Sequence, residues 1–130
     1  MPKRVLVVED DTDVRWMIAD YLTSRGYKVE TAIDGTQALQ RLEGEAPDLV
    51  TVDMSMPIVD GAQVVEALRR RRGWERVPVL MISASHEAPE WAAKASQVKL
   101  LQKPFELRAL SEVVERLVPT ETSWLPKRQL

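Results

Sequence analysis

The stretch "PDLVTVD", Pro47 to Asp53, sets Leu, Val, Thr and Val in unbroken order behind a proline and ends on a carboxylate. Near-continuous strand formers without polar alternation mark a strand covered on both faces, the central strand of a parallel sheet. A charge closing such a strand needs a reason, since a buried carboxylate is costly unless something offsets it.

Working outward, three further segments have the same character: "KRVLVVE" (Lys3 to Glu9), "VPVLMIS" (Val77 to Ser83) and the weaker "VKLLQ" (Val98 to Gln102). A fifth, "YKVETA" (Tyr27 to Ala32), alternates and is expected nearer an edge. Between them the period changes. Val14, Met17, Ile18, Tyr21 and Leu22 form one apolar stripe, with Arg15, Asp20, Thr23 and Ser24 opposite and Gly26 as the stop. A second helix is expected from near Asp34, a third around Val64, Val65 and Leu68, and the last through Leu110, Val113, Val114 and Leu117. A short one around Glu87 to Ala95 contains Pro89, tolerated only in a first turn. Five β-α units with short links return each strand parallel to the last, which makes a doubly wound α/β domain. The tail "PTETSWLPKRQL", Pro119 to Leu130, has two prolines and no period and reads as a linker stub after a domain spanning 1–118.

The composition excludes several classes. A 130-residue chain that is 45% hydrophobic and 29% charged is long enough for one cored domain and too apolar to be disordered. A net charge of −2 gives no electrostatic reason to expect nucleic acid. With no cysteine there is neither a disulfide framework nor a thiolate site, which suits the cytoplasm. The opening "MPKRVLVVEDD" reaches acids too soon for a signal peptide or membrane anchor.

Function in open α/β sheets gathers at the carboxyl ends of the strands. There the first strand presents Glu9, Asp10 and Asp11, the third Asp53, the fourth Ser83, and the fifth runs into Lys103 and Pro104. With strands one and three as neighbours, two or three carboxylates converge and resist ionising together. A hard divalent cation such as Mg2+ resolves the conflict, because it prefers carboxylate oxygens and takes its remaining ligands from water and phosphate. An Asp beside such a cation can hold the metal or attack phosphorus, with Lys103 and Ser83 supplying donors to the phosphoryl oxygens.

The acidic pair in "VLVVEDD", the Asp in "VDMSMPIVDG", the Ser-Ala in "VLMISAS" and the "KPF" motif, in this order, resemble the receiver domain of two-component response regulators, of the single-domain chemotaxis type. The match covers about residues 3 to 118. It implies a flavodoxin-like five-stranded sheet in the order 2-1-3-4-5. It also implies that Asp53 accepts a phosphoryl group from a histidine kinase phosphohistidine or a phosphotransfer protein, and that the chain is not an enzyme in the ordinary sense, catalysing only its own phosphorylation and dephosphorylation. The metal, Mg2+ or Mn2+, would be held by Asp10, Asp53 and the backbone carbonyl of Ser55, with Glu9 acting through water. Ser83 would be the switch hydroxyl and Lys103 the cation on the phosphoryl oxygens, aimed by a cis Lys103-Pro104 bond. Asp11 falls one place beyond the acidic pair and reads as a helix cap. Ser55 and Ser85 would tune phosphoryl lifetime. The output face would be the fourth helix, fifth strand and last helix, used for a downstream protein and for a homodimer, without direct nucleic-acid or membrane contact.

Two departures stand out. Leu100 occupies the position of the usual switch aromatic, and the stretch from Ser83 to Lys103 is short by roughly two residues against the expected crossover. Both point to a nonstandard output surface, with Trp91 as a partner anchor. The run Arg69 to Arg72 is expected to be a solvated helix end, His86 a bystander, and Trp74 packing under the turn before the fourth strand. Two other functions compete. An aspartate phosphatase would need an acid two residues after the nucleophile, where Ser55 stands. A receiver-like binding module acting without phosphorylation is the alternative that Leu100 and the short fourth crossover suggest.

Overall fold

A computed structural model describes residues 2–41, 44–54, 61–84 and 97–120. Its elements run β1 (Arg4–Val8), α1 (Thr12–Ser24), β2 (Lys28–Ala32), α2 (Gly35–Arg41), β3 (Leu49–Asp53), α3 (Gly61–Arg70), β4 (Val79–Ser83), β5 (Val98–Gln102) and α4 (Leu107–Leu117). The five strands are all parallel, in the order β2-β1-β3-β4-β5, as the resemblance implies. The expected helix around Glu87 to Ala95, with Ser85, His86 and Trp91, lies outside the described residues, as do Ser55 and residues 121–130. Among the described residues there are four helices, and none is long and apolar enough to cross a membrane.

Strand alternation divides the core into two layers. Leu6, Val8, Val50, Val52, Val79 and Met81 point to the face covered by α2 and α3 through Ala38, Val64, Val65 and Leu68. Val5, Val7, Leu49, Leu80 and Ile82 point to the other face, under Ile18 and Leu22 of α1 and Leu110 and Val114 of α4. This two-sided covering is why β3 is buried at all five positions, while the edge strand β2 alternates.

Local chemistry sets the helix ends. Asp11 caps α1, its Oδ1 accepting from the Val14 N–H at 3.0 Å. Asp34 caps α2 by accepting from the Gln37 N–H at 2.7 Å, and the Gln37 side chain reaches back to accept from the Ile33 N–H at 2.8 Å, a near-reciprocal cap. After α1, Gly26 takes φ +100, a left-handed conformation that favours glycine. The Gly26 N–H then donates to the Thr23 carbonyl and the Tyr27 N–H to the Leu22 carbonyl, both at 3.1 Å, while Tyr27 and Leu22 join the same core layer. This stop aims the chain into β2.

Three expectations need correction. Met17 is 42% exposed, outside the stripe assigned to it. Arg15, expected on the polar side, is only 8% exposed because its guanidinium is drawn inward by backbone carbonyls. Arg69 is not simply a solvated helix end: its Nη1 donates to the Val77 carbonyl at 2.7 Å and the Trp74 carbonyl at 3.4 Å, fastening the turn that leads to β4. Trp74 itself is buried in the core beneath that turn, as expected.

Candidate functional site

The register brings the chemistry-bearing strand ends together. Val8 of β1 lies beside Val52 of β3, so the residues that follow, Glu9 and Asp53, emerge side by side. Asp53 is in turn opposite Ile82, which puts Ser83 at the same end one strand over. The Met54 N–H donates to the Ile82 carbonyl at 2.9 Å, and the Lys103 N–H donates to the Ser83 carbonyl at 2.7 Å. The loops after β3 and β5 are thus tied to the end of β4, and the Lys103–Pro104 peptide bond is cis. Leu100, paired with Met81, is partly buried against the α2/α3 core layer.

Glu9, Asp10 and Asp53 can each offer a carboxylate oxygen, and these three atoms lie within 4.8 Å of one another. Glu9 is 2% exposed and Asp53 3%, while Asp10 faces solvent. Lys103 Nζ lies 3.3 Å from Asp53 Oδ1 and 3.8 Å from Glu9 Oε1. Among the described residues, the one ammonium paired with these three carboxylates leaves the cluster short of positive charge. The imbalance shows at Glu9, whose carboxyl is pushed up to about 8, first by burial, then by the adjoining Asp53 carboxylate, then by Asp10, with Lys103 opposing. Its Oε1 is buried with no hydrogen-bond partner.

An orphaned buried carboxylate oxygen facing two more carboxylates is a donor set suited to a hard divalent cation, which takes carboxylate oxygens and keeps part of its water shell at an open side. The exposed Asp10 provides that open side. The residues therefore fit a divalent metal.

The sequence model of the response regulator receiver domain matches residues 5–115. The chain belongs to this family. Receiver-domain relatives extend the picture. The transcriptional regulatory protein PrrA of Mycobacterium leprae is 39% identical over 117 residues, 88% of this chain and 49% of that protein. The chain thus spans about half the length of the curated relatives it matches. Among solved structures, the chemotaxis protein CheY4 of Vibrio cholerae is 30% identical with a TM-score of 0.83, covering 91% of this chain and all of that one. The receiver domain of the sensor histidine kinase PA1611 from Pseudomonas aeruginosa is 27% identical with a TM-score of 0.80, over 90% of this chain and 98% of that one. That structure has a magnesium ion coordinated in its active-site cleft.

Arg15 belongs to this neighbourhood and was not expected in it. Its Nη1 donates to the Glu9 carbonyl at 3.1 Å and, more weakly, to the Asp10 carbonyl at 3.4 Å. A signal existed in the sequence: helical side chains lean toward the helix N-terminus, so a long cation one turn into α1 reaches the loop behind it.

Proposed function

We propose that Asp53 accepts a phosphoryl group from the phosphohistidine of a sensor histidine kinase or phosphotransfer protein, and that the resulting aspartyl phosphate switches protein–protein contacts. The observation that carries this reading is Lys103 Nζ at 3.3 Å from Asp53 Oδ1 inside a trio of carboxylates. An Asp53 carboxylate oxygen attacks phosphorus as the P–N bond breaks, and the donor imidazole leaves with the electron pair of that bond. Charge on the transferred oxygens meets the Lys103 ammonium and the Ser83 hydroxyl. Mg2+, or Mn2+ in its place, supplies when bound the positive charge that three carboxylates and a phosphoryl group require. Asp10, Asp53 and the Ser55 backbone carbonyl would hold it directly and Glu9 through water.

Hydrolysis of the aspartyl phosphate, catalysed by the same residues, resets the switch, with Ser55 and Ser85 tuning its lifetime. Residues 1–118 form the receiver and 119–130 a tail or linker. The contact face is the region of the fourth crossover with β5 and α4, where Leu100 replaces an aromatic and Trp91 anchors a downstream protein or a second copy of the chain. The working compartment is the cytoplasm.

Intact mass after incubation with a small acyl phosphate and Mg2+ tests the reading, beside Asp53→Asn and an EDTA control. The proposal expects one added phosphoryl group, lost in both controls. No gain by a folded protein would overturn it and favour a binding module that acts without phosphorylation.

A further inference from the structure

Arg15 is a buried cation on the helix that follows the acidic loop, and burying a guanidinium is costly unless its donors are matched. Its match is the backbone of the two acids themselves, the carbonyls of Glu9 and Asp10. The rest of that turn is pinned from other directions. The Glu9 N–H donates to the Ala32 carbonyl of β2 at 3.0 Å, the Asp11 N–H to Glu9 Oε2 at 3.3 Å, and the Arg15 N–H to the Asp11 carbonyl at 2.9 Å. The peptide units that carry the Glu9 and Asp10 side chains are thus oriented from the carbonyl side by one residue that contributes no metal ligand.

We infer that Arg15 is a positioning residue for the metal site, holding Asp10 in its ligating direction and Glu9 toward the metal's water shell through their backbone carbonyls. The inference rests on the reading of the site as a Mg2+-dependent phosphoryl acceptor. Outer partners that orient metal ligands commonly contribute about 10- to 100-fold to metal affinity.

The sign separates this role from two others. A guanidinium acting only through its charge would repel a divalent cation, and removing it would tighten Mg2+ binding. A guanidinium acting only in folding would change stability and leave Mg2+ affinity alone. A positioning guanidinium does the opposite of the first and more than the second: its removal weakens Mg2+.

The experiment is calorimetric titration of Mg2+ into the wild-type chain, Arg15→Met and Arg15→Lys, each with its thermal unfolding recorded. Met keeps length and helix propensity but carries neither donor nor charge. The expected result is Mg2+ binding weakened about tenfold or more in Arg15→Met, and largely restored in Arg15→Lys, whose ammonium keeps a donor for the carbonyls. Affinity unchanged within about twofold in Arg15→Met, or tighter, overturns the inference. Should Arg15→Met fail to unfold cooperatively, Arg15→Leu, which also carries neither donor nor charge, takes its place with the same two readings. No Mg2+ binding by the wild-type chain overturns this inference together with the reading beneath it. Wild-type binding with an indifferent Arg15 variant overturns the inference alone.

Discussion

Replacing Glu9 by Gln removes a carboxyl that the fold holds far from its ordinary proton affinity. In the metal-free protein Glu9 titrates at about 8 against an ordinary 4.5, with burial the largest cause and Asp53 the next. Below pH 4.5 folded and unfolded chains both carry the proton, and the site costs nothing. Between 4.5 and 8 the unfolded chain has lost a proton that the folded chain keeps, so stability falls as pH rises, and above 8 the full cost is present. At ~1.4 kcal/mol per pH unit the ceiling is ~5 kcal/mol. Solvent on the exposed Asp10 side screens part of it, leaving ~2–3 kcal/mol to be measured.

The assay is denaturant unfolding in EDTA at about pH 5 and about pH 8.5, for the wild-type chain and Glu9→Gln. Titrating groups remote from the site are common to both proteins and cancel. The wild type should lose ~2–3 kcal/mol relative to Glu9→Gln between the two pH values. Mg2+ should restore it more fully at the higher pH, because the Glu9 proton must leave before the carboxylate can assist a cation. A wild-type-minus-variant difference that stays constant with pH would refute the reasoning.

Three further outcomes probe the scaffold. Arg69→Ala should cost ~1–2 kcal/mol in urea unfolding by removing the donor to the Val77 carbonyl and the weaker one to the Trp74 carbonyl, which keeps the Val77 N–H, and an unchanged midpoint would return Arg69 to a solvated helix end. Tyr27→Phe should cost ~1 kcal/mol by removing the buried bond in which the Tyr27 hydroxyl donates to the Val118 carbonyl at 2.7 Å. The same burial pushes the Tyr27 phenol up to about 12, so an absorbance titration in which every tyrosine ionises near the ordinary value of 10 would contradict that placement. Asp11→Ala should cost ~1 kcal/mol through the lost cap of α1 while leaving phosphoryl acceptance intact; loss of acceptance at full stability would give Asp11 a role in the chemistry.

The fold was legible because burial on both faces leaves a simple trace. β1, β3 and β4 could be read from near-continuous apolar and β-branched residues, and the edge position of β2 from its alternation. The strand order came from the family resemblance, since periodicity says which segments are strands and not which are neighbours. Glu9, Asp10, Asp53, Ser83 and Lys103 were legible as candidates because each lies at a strand's carboxyl end, where a polar residue after an apolar run is conspicuous. Arg15 and Arg69 were not. A helical stripe sorts residues by polarity, whereas these two are drawn inward by carbonyls that exist only once the loops after β1 and α3 have formed. Met17 failed for the complementary reason: it satisfies the period of α1, yet its side chain stays 42% exposed.

In the proposed reaction one carboxylate, Asp53, carries the phosphoryl group. Borohydride reduction converts an acyl phosphate to an alcohol, so treating the protein with an acyl phosphate and Mg2+, reducing it and sequencing its peptides by mass spectrometry marks the acceptor directly. Homoserine is expected at position 53, and none when EDTA is present. Homoserine at Asp10, 5-hydroxynorvaline at Glu9, or a reduced residue at no position of a folded protein would contradict it.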